Sequence, residues 1–283
     1  MLDPLLRSAF RELRMAVVWW GLGVGSALVL TLALWPVISE EYSAMITELP
    51  EGWVTFFGEA SLDTVEGYLT AQFFGYAPLV LGVFAILAGS AALAGEESQG
   101  TLDLLLAQPV RRSRLVLAQG LALTAGLGVT IAIMAVMAAA TVILMDIELS
   151  PSRAFGALVL LWPFELALAL LAMLLSLLLP GRSMAGSVLA AYLIASYVLG
   201  SLSNIYAPLA NFRVLYVTSY YQGNGALSAE IDWAYVIGLV GILLAAWVAC
   251  LVLFEKRDIG TRRPFSLRRL LRRVRVKPAE MGA

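Results

Sequence analysis

Apolar residues in this chain come in long unbroken runs, each closed by a cluster of charges. Six runs stand out, at about 15–37, 72–94, 117–145, 155–179, 184–203 and 234–254. A helix needs about 20 consecutive apolar residues to cross the hydrocarbon core of a bilayer. The pattern therefore predicts an all-α membrane protein with six transmembrane helices. The strict in–out alternation of an outer-membrane barrel is missing. The first run is longer than the core of a secretory signal and lacks a small-x-small cleavage site, so it reads as a retained span.

The polar stretches carry patterns of their own. The start, LDPLLRSAFRELR, places Arg7, Arg11 and Arg14 on one side of a helix and Leu6, Ala9 and Leu13 on another, with Asp3 as cap and Pro4 in the first turn. This predicts an amphipathic interfacial helix lying on the membrane before span 1. The plainer alternative is a cytosolic extension of that span.

Between spans 2 and 3 lies GEESQGTLDLLLAQPVRRSR, residues 95–114. Thr101 can cap a helix, Asp103 suits its first turn, Leu102, Leu105 and Leu106 share a face, and Pro109 ends it. Arg111, Arg112 and Arg114 follow. The prediction is a helix of about two turns with an apolar face. Glu96 and Glu97 sit at the C-terminal end of span 2, where the helix dipole disfavours anions, so arginines or a partner must offset them. Exposed leucines on a short connector form a partner surface or a lipid contact. In the tail, Leu267, Leu270, Leu271 and Val274 form a stripe, with Arg268, Arg269, Arg272 and Arg273 mostly opposite. That suits anionic lipid headgroups. A plain topology anchor is the other reading, and nothing there requires nucleic acid.

Composition sharpens this picture. The chain is 60% hydrophobic and 14% charged, and its net charge of −1 hides a polarised distribution. Seventeen of the 19 Lys and Arg residues fall on one face of the six-span scheme; the opposite loops hold only Arg153 and Arg213. By the positive-inside rule both termini and the 95–114 connector are cytoplasmic. The outer stretch 38–70 holds acidic residues and no basic one. The chain reads as one transmembrane domain, 1–254, followed by a basic cytoplasmic tail, 255–283.

The candidate chemistry is sparse. The chain has no histidine, one cysteine (Cys250) and two lysines, neither of them in a P-loop. Ser-His catalysis, HExxH metal chemistry, an internal disulfide and a nucleotide-hydrolysing loop are excluded. Metal ligation by thiols is not expected, and the chain reads as a non-enzyme. The single ionisable residue placed inside a span is Glu165, about 16 Å into span 4. Such a group is costly and marks function by default. It faces water, takes donors such as Trp162 or Tyr192, or stays protonated, with Pro163 freeing a nearby carbonyl. A substrate or gating role and a hydrogen-bonded structural role both stand. Gly21 and Gly25 form GxxxG in span 1, and Ser187, Ala191 and Ala195 repeat on one face of span 5. They mark helix contacts, within one subunit or across a dimer. Tyr206, Phe212, Tyr216, Tyr220 and Tyr221 make the last outer loop aromatic, as at headgroup level.

The 95–114 segment is similar to the GEE-x-x-GTL-x-x-LL-x-x-PV-x-R segment of bacterial and archaeal ABC-2 type permeases. EGYLTAQFFGYAPLV before it, with Glu66, Gly67, Tyr68, Phe73, Phe74 and Pro78, and NFRVLYVTSYYQG at 211–223 extend the resemblance. It implies a complex of two permeases, identical or not, with two separate ATPase subunits that bind ATP and Mg, in the cell (inner) membrane. It further implies that Glu96, Glu97, Gly100, Thr101, Leu102, Asp103, Leu105, Leu106 and Pro109 form the ATPase-coupling element. Spans 1 and 5 would meet at the dimer seam, which draws in Gly21, Gly25, Ser187, Ala191 and Ala195. The outer aromatic stretch would be a re-entrant gate with Tyr216, Tyr220 and Tyr221. Gln119 departs from the pattern, since many relatives carry lysine there. The expected function is the membrane subunit of an ATP-driven exporter. The alternative is a mechanotransmission or lipid-handling assembly that acts on an outer partner. An intramembrane enzyme would need more than one isolated carboxylate.

Overall fold

The structure is a computed structural model that describes residues 2–47, 64–99 and 112–256, with side chains over 5–39, 64–93 and 113–256. All regular structure among these residues is helical. Six helices are long and apolar enough to cross a membrane, and they coincide with the six predicted runs. Span 1 lies within Leu2–Thr47, span 2 within Val65–Leu69 and Ala77–Gln99, and span 3 in Arg112–Leu144. Span 4 is Pro151–Leu178, span 5 Arg182–Leu202 and span 6 Trp233–Lys256.

Local sequence explains the ends. Thr64 caps span 2 by accepting from the Gly67 N–H at 3.1 Å. One π-turn, Thr70–Phe74, interrupts that span before the helix resumes at Ala77 with Pro78 in its first turn. Pro151 opens span 4. Pro180 and Gly181 turn the chain into span 5, and Gly181 sits at φ 93°, a conformation that glycine adopts without strain. The start differs from expectation. The interfacial helix is not a separate element, because the chain runs as one helix from Leu2 through span 1. No glycine or proline lies between residues 5 and 20 to break it. Its amphipathic pattern persists, with Arg7, Arg11 and Arg14 exposed and Ala9 buried.

Two helix pairs make the closest packing. Span 1 lies along span 3. A Cβ on Gly21 would stand 3.0 Å from the Ile133 side chain, and one on Gly25 would stand 2.7 Å from Met137 Sδ. The Thr130 hydroxyl donates to the carbonyls of Gly126 at 3.1 Å and Val17 at 3.4 Å. The GxxxG of span 1 is thus occupied inside the subunit. Its glycines serve close packing against span 3. Span 2 packs on spans 4 and 5. A Cβ on Gly89 would run into the main chain of Ala169, so the two backbones touch. In lipid, helix association rests on such close van der Waals contact, because burying apolar surface brings little gain there. Span 4 is apolar all round and central, with Leu161, Phe164, Leu168 and Leu170 fully buried. Span 6 covers it, and the Cys250 thiol points at the Leu170 carbonyl at 3.7 Å. Span 2 therefore packs chiefly on span 4 and span 3 chiefly on span 1, while span 3 also meets span 4 where Trp162 donates to the Thr124 carbonyl and span 6 where Gly120 lies against Trp247. The connector that follows Gln99 and precedes Arg112 joins span 2 to span 3.

Candidate functional site

Glu165 lies 14 residues after Pro151, so it sits about 21 Å along a helix of about 42 Å. It has no exposed surface, and neither carboxyl oxygen finds a hydrogen-bond partner among the described residues. Gly82 of span 2 makes room for it. A Cβ there would lie 3.9 Å from Oε2, 2.6 Å from Leu193 Cδ2 and 3.2 Å from Leu168 Cδ1. The carboxyl thus points into a gap between spans 2, 4 and 5. The two donors considered from sequence are engaged elsewhere. Trp162 Nε1 donates to the Thr124 carbonyl of span 3 at 3.0 Å. The Tyr192 hydroxyl donates to the Leu215 carbonyl at 2.6 Å. The hydrogen-bonded structural reading of Glu165 loses both of them.

The segment between spans 5 and 6 folds back over this gap as a short helix, Ala207–Ala210, and two 3-10 turns, Arg213–Leu215 and Val217–Tyr220. Ser196, about 9 Å before the end of span 5, is its anchor. The Thr218 N–H donates to Ser196 Oγ at 3.1 Å, and the Thr218 hydroxyl donates to the Ser196 carbonyl at 3.1 Å. Two of the three tyrosines brace the segment itself: Tyr216 donates to the Leu209 carbonyl at 3.2 Å and Tyr220 to that of Val214 at 2.9 Å. Tyr220 also stacks edge-on against Tyr235 of span 6. Tyr221 turns inward. Its ring lies 5.7 Å from that of Phe164, next to Glu165 in the chain, and its buried hydroxyl has no partner among the described residues. Burial, with the Glu165 carboxylate adding to it, pushes the Tyr221 phenol well above its usual range, so the group remains a hydroxyl donor.

Two concavities flank this centre. A polar cavity of about 260 Å³ opens at the end of the bundle that carries the 204–232 segment. Thr70, Tyr197, Arg213, Ser219, Tyr221 and Asn224 are among its walls. An apolar cleft of about 510 Å³ runs between spans 1 and 2, past Trp19, Trp20, Val24, Phe73, Tyr76 and Val80.

Residues 6–259 match the sequence profile of the ABC-2 family transporter proteins. The chain belongs to that family. The match takes in all six spans and the connector, so this permease is the membrane subunit of an ABC transporter and not itself a catalyst. No match is found among curated proteins.

The permease brings some of the candidate residues together and separates others. Glu165 and Tyr221 share the buried centre, whereas Tyr216 and Tyr220 stay with the outer segment. Ser187, Ala191 and Ala195 are all exposed on span 5. Glu96 and Glu97 lie on the last turn of Ala77–Gln99, but their side chains, and Gly100, Thr101, Leu102, Asp103, Leu105, Leu106 and Pro109, fall outside the described residues. So do Arg268, Arg269, Arg272 and Arg273. Sequence reasoning missed Gly82 and Gly89. Their seven-residue spacing puts them on one face of span 2, the signature of a close helix approach. It also missed Ser196 and Thr218, for which the sequence holds no comparable signal.

Proposed function

We propose that two copies of this fold, or this chain and a related one, form an export path in the cell membrane, with both termini cytoplasmic. Separate ATPase subunits, which bind ATP and Mg, drive it through residues 95–109. The observation that carries this reading is that spans 2 and 3 have different main packing partners. The connector leaves span 2, which is fixed to span 4 at Gly89 and Ala169, and enters span 3, which is fixed to span 1 at Gly21 and Gly25. A partner that grips the connector pulls on both of these helix pairs at once. The absence of a P-loop in the chain fits an engine supplied by another subunit. Glu165 and Tyr221 then lie where the two ends of the path meet, as part of the gate. Ser187, Ala191 and Ala195 remain open on span 5 for a second permease.

The experiment is a pull-down of the tagged permease from its native membrane. An ATPase chain is expected to co-purify, and Leu105→Asp is expected to release it while the permease stays folded by size exclusion. Equal recovery of the ATPase with Leu105→Asp refutes the connector as its dock.

A further inference from the structure

The polar cavity contains a cation that no carboxylate among the described residues neutralises. At this end of the bundle the permease has two arginines among the described residues. Arg153 pairs with Glu66 at 3.7 Å. Arg213 pairs with no carboxylate among the described residues, although residues 38–70 are acidic and carry no base. Two neutral groups orient it instead. Its Nε donates to Ser203 Oγ at 3.1 Å and its Nη2 to Asn204 Oδ1 at 2.6 Å. These bonds hold the planar fork, and its other terminal nitrogen donates to no side chain among the described residues. Arg213 is half-buried and lines the cavity together with Thr70, Ser219 and Tyr221. The buried Tyr221 hydroxyl has no partner among the described residues. A fixed guanidinium on one polar space is the recognition element for an oxyanion, since charge-assisted bonds from a pre-oriented fork are stronger and more specific than those from a mobile ammonium. At about 260 Å³ the space suits a headgroup or small anion rather than a bulky solute. The π-turn of span 2, which carries Thr70, forms one wall, and such turns concentrate at functional sites.

We propose that this cavity is an oxyanion-binding site in which Arg213 holds a phosphate- or carboxylate-bearing group. The source is a lipid headgroup or a free solute. The site stands on its own geometry, whether or not the connector engages an ATPase, and it is tested without nucleotide.

Full-length permease is examined in two arms at low ionic strength, where charge contacts are least screened. In neutral detergent, equilibrium dialysis measures labelled inorganic phosphate and acetate. In nanodiscs of phosphatidylcholine with and without phosphatidylglycerol, native mass spectrometry counts retained anionic lipid. Arg213→Gln is expected to weaken binding about tenfold or more, as for loss of a charge-assisted contact. Arg213→Lys, which keeps charge without the fork, should fall between, and Arg153→Gln should match wild type. A response confined to the first arm assigns a free anion, and one confined to the second assigns a lipid headgroup. If Arg213→Gln does not fold, Arg213→Lys decides by the same comparison. Absence of binding in both arms, or equal binding by wild type and the Arg213 variants, overturns the proposal.

Discussion

Glu165 offers a sharp test because its burial and its function pull in opposite directions. Replacement by methionine keeps a side chain of similar length in the gap opened by Gly82. It also removes two carboxyl oxygens that have no partner among the described residues. A buried polar group left unsatisfied costs about 1–3 kcal/mol. Glu165→Met should therefore stabilise the isolated permease by about that amount, with Glu165→Gln, which retains two polar atoms, within about 1 kcal/mol of wild type. Transport should fall in both, since the gate loses its acidic group. Unfolding in mixed micelles on titration with dodecyl sulfate reads the first effect, and substrate-stimulated ATPase activity of the reconstituted complex reads the second. Destabilisation of Glu165→Met by more than about 1 kcal/mol refutes the reasoning, because it means that the carboxyl makes bonds worth keeping. Unchanged transport in both variants removes Glu165 from the gate.

Two further outcomes follow from the packing. Gly89→Ala places a methyl group against the Ala169 main chain, which no rotamer change relieves. A loss of about 1–3 kcal/mol, the usual cost of overpacking, is expected in the same micelle titration, and wild-type stability would show that spans 2 and 4 are not in backbone contact. Cysteines at positions 187 and 191, in a background where the buried Cys250 is replaced by alanine, should cross-link two copies if span 5 forms the seam. Cross-linking from neither position excludes that face.

Depth along each helix was legible in the sequence, and neighbourhood was not. Hydropathy placed span 4 at 155–179 against the observed Pro151–Leu178, and span 6 at 234–254 against Trp233–Lys256, because lipid demands a length and charges mark the limits. The same reading put Glu165 near mid-membrane, and it sits halfway along its helix. Which helix each face meets depends on contacts between residues far apart in sequence. Trp162 lies three residues from Glu165, yet it serves span 3, while Glu165 faces spans 2 and 5. The small residues of span 1 signalled a close approach correctly, but a GxxxG pattern reads the same against a helix of its own chain as against another copy. The inward fold of residues 213–221 rests on Ser196 and Thr218, two ordinary polar residues 22 positions apart.

The contact of Gly89 with Ala169 has a mechanical consequence. Where two helices meet main chain to main chain, no side chain lies between them to change rotamer and absorb a displacement. Spans 2 and 4 are bound to shift as a single strut. Gly89 stands about 15 Å from Gln99, where the connector departs, and Ala169 is one helical turn from Glu165. A tug delivered at the mouth of the connector therefore reaches the buried acid through one stiff joint, with almost no slack on the way.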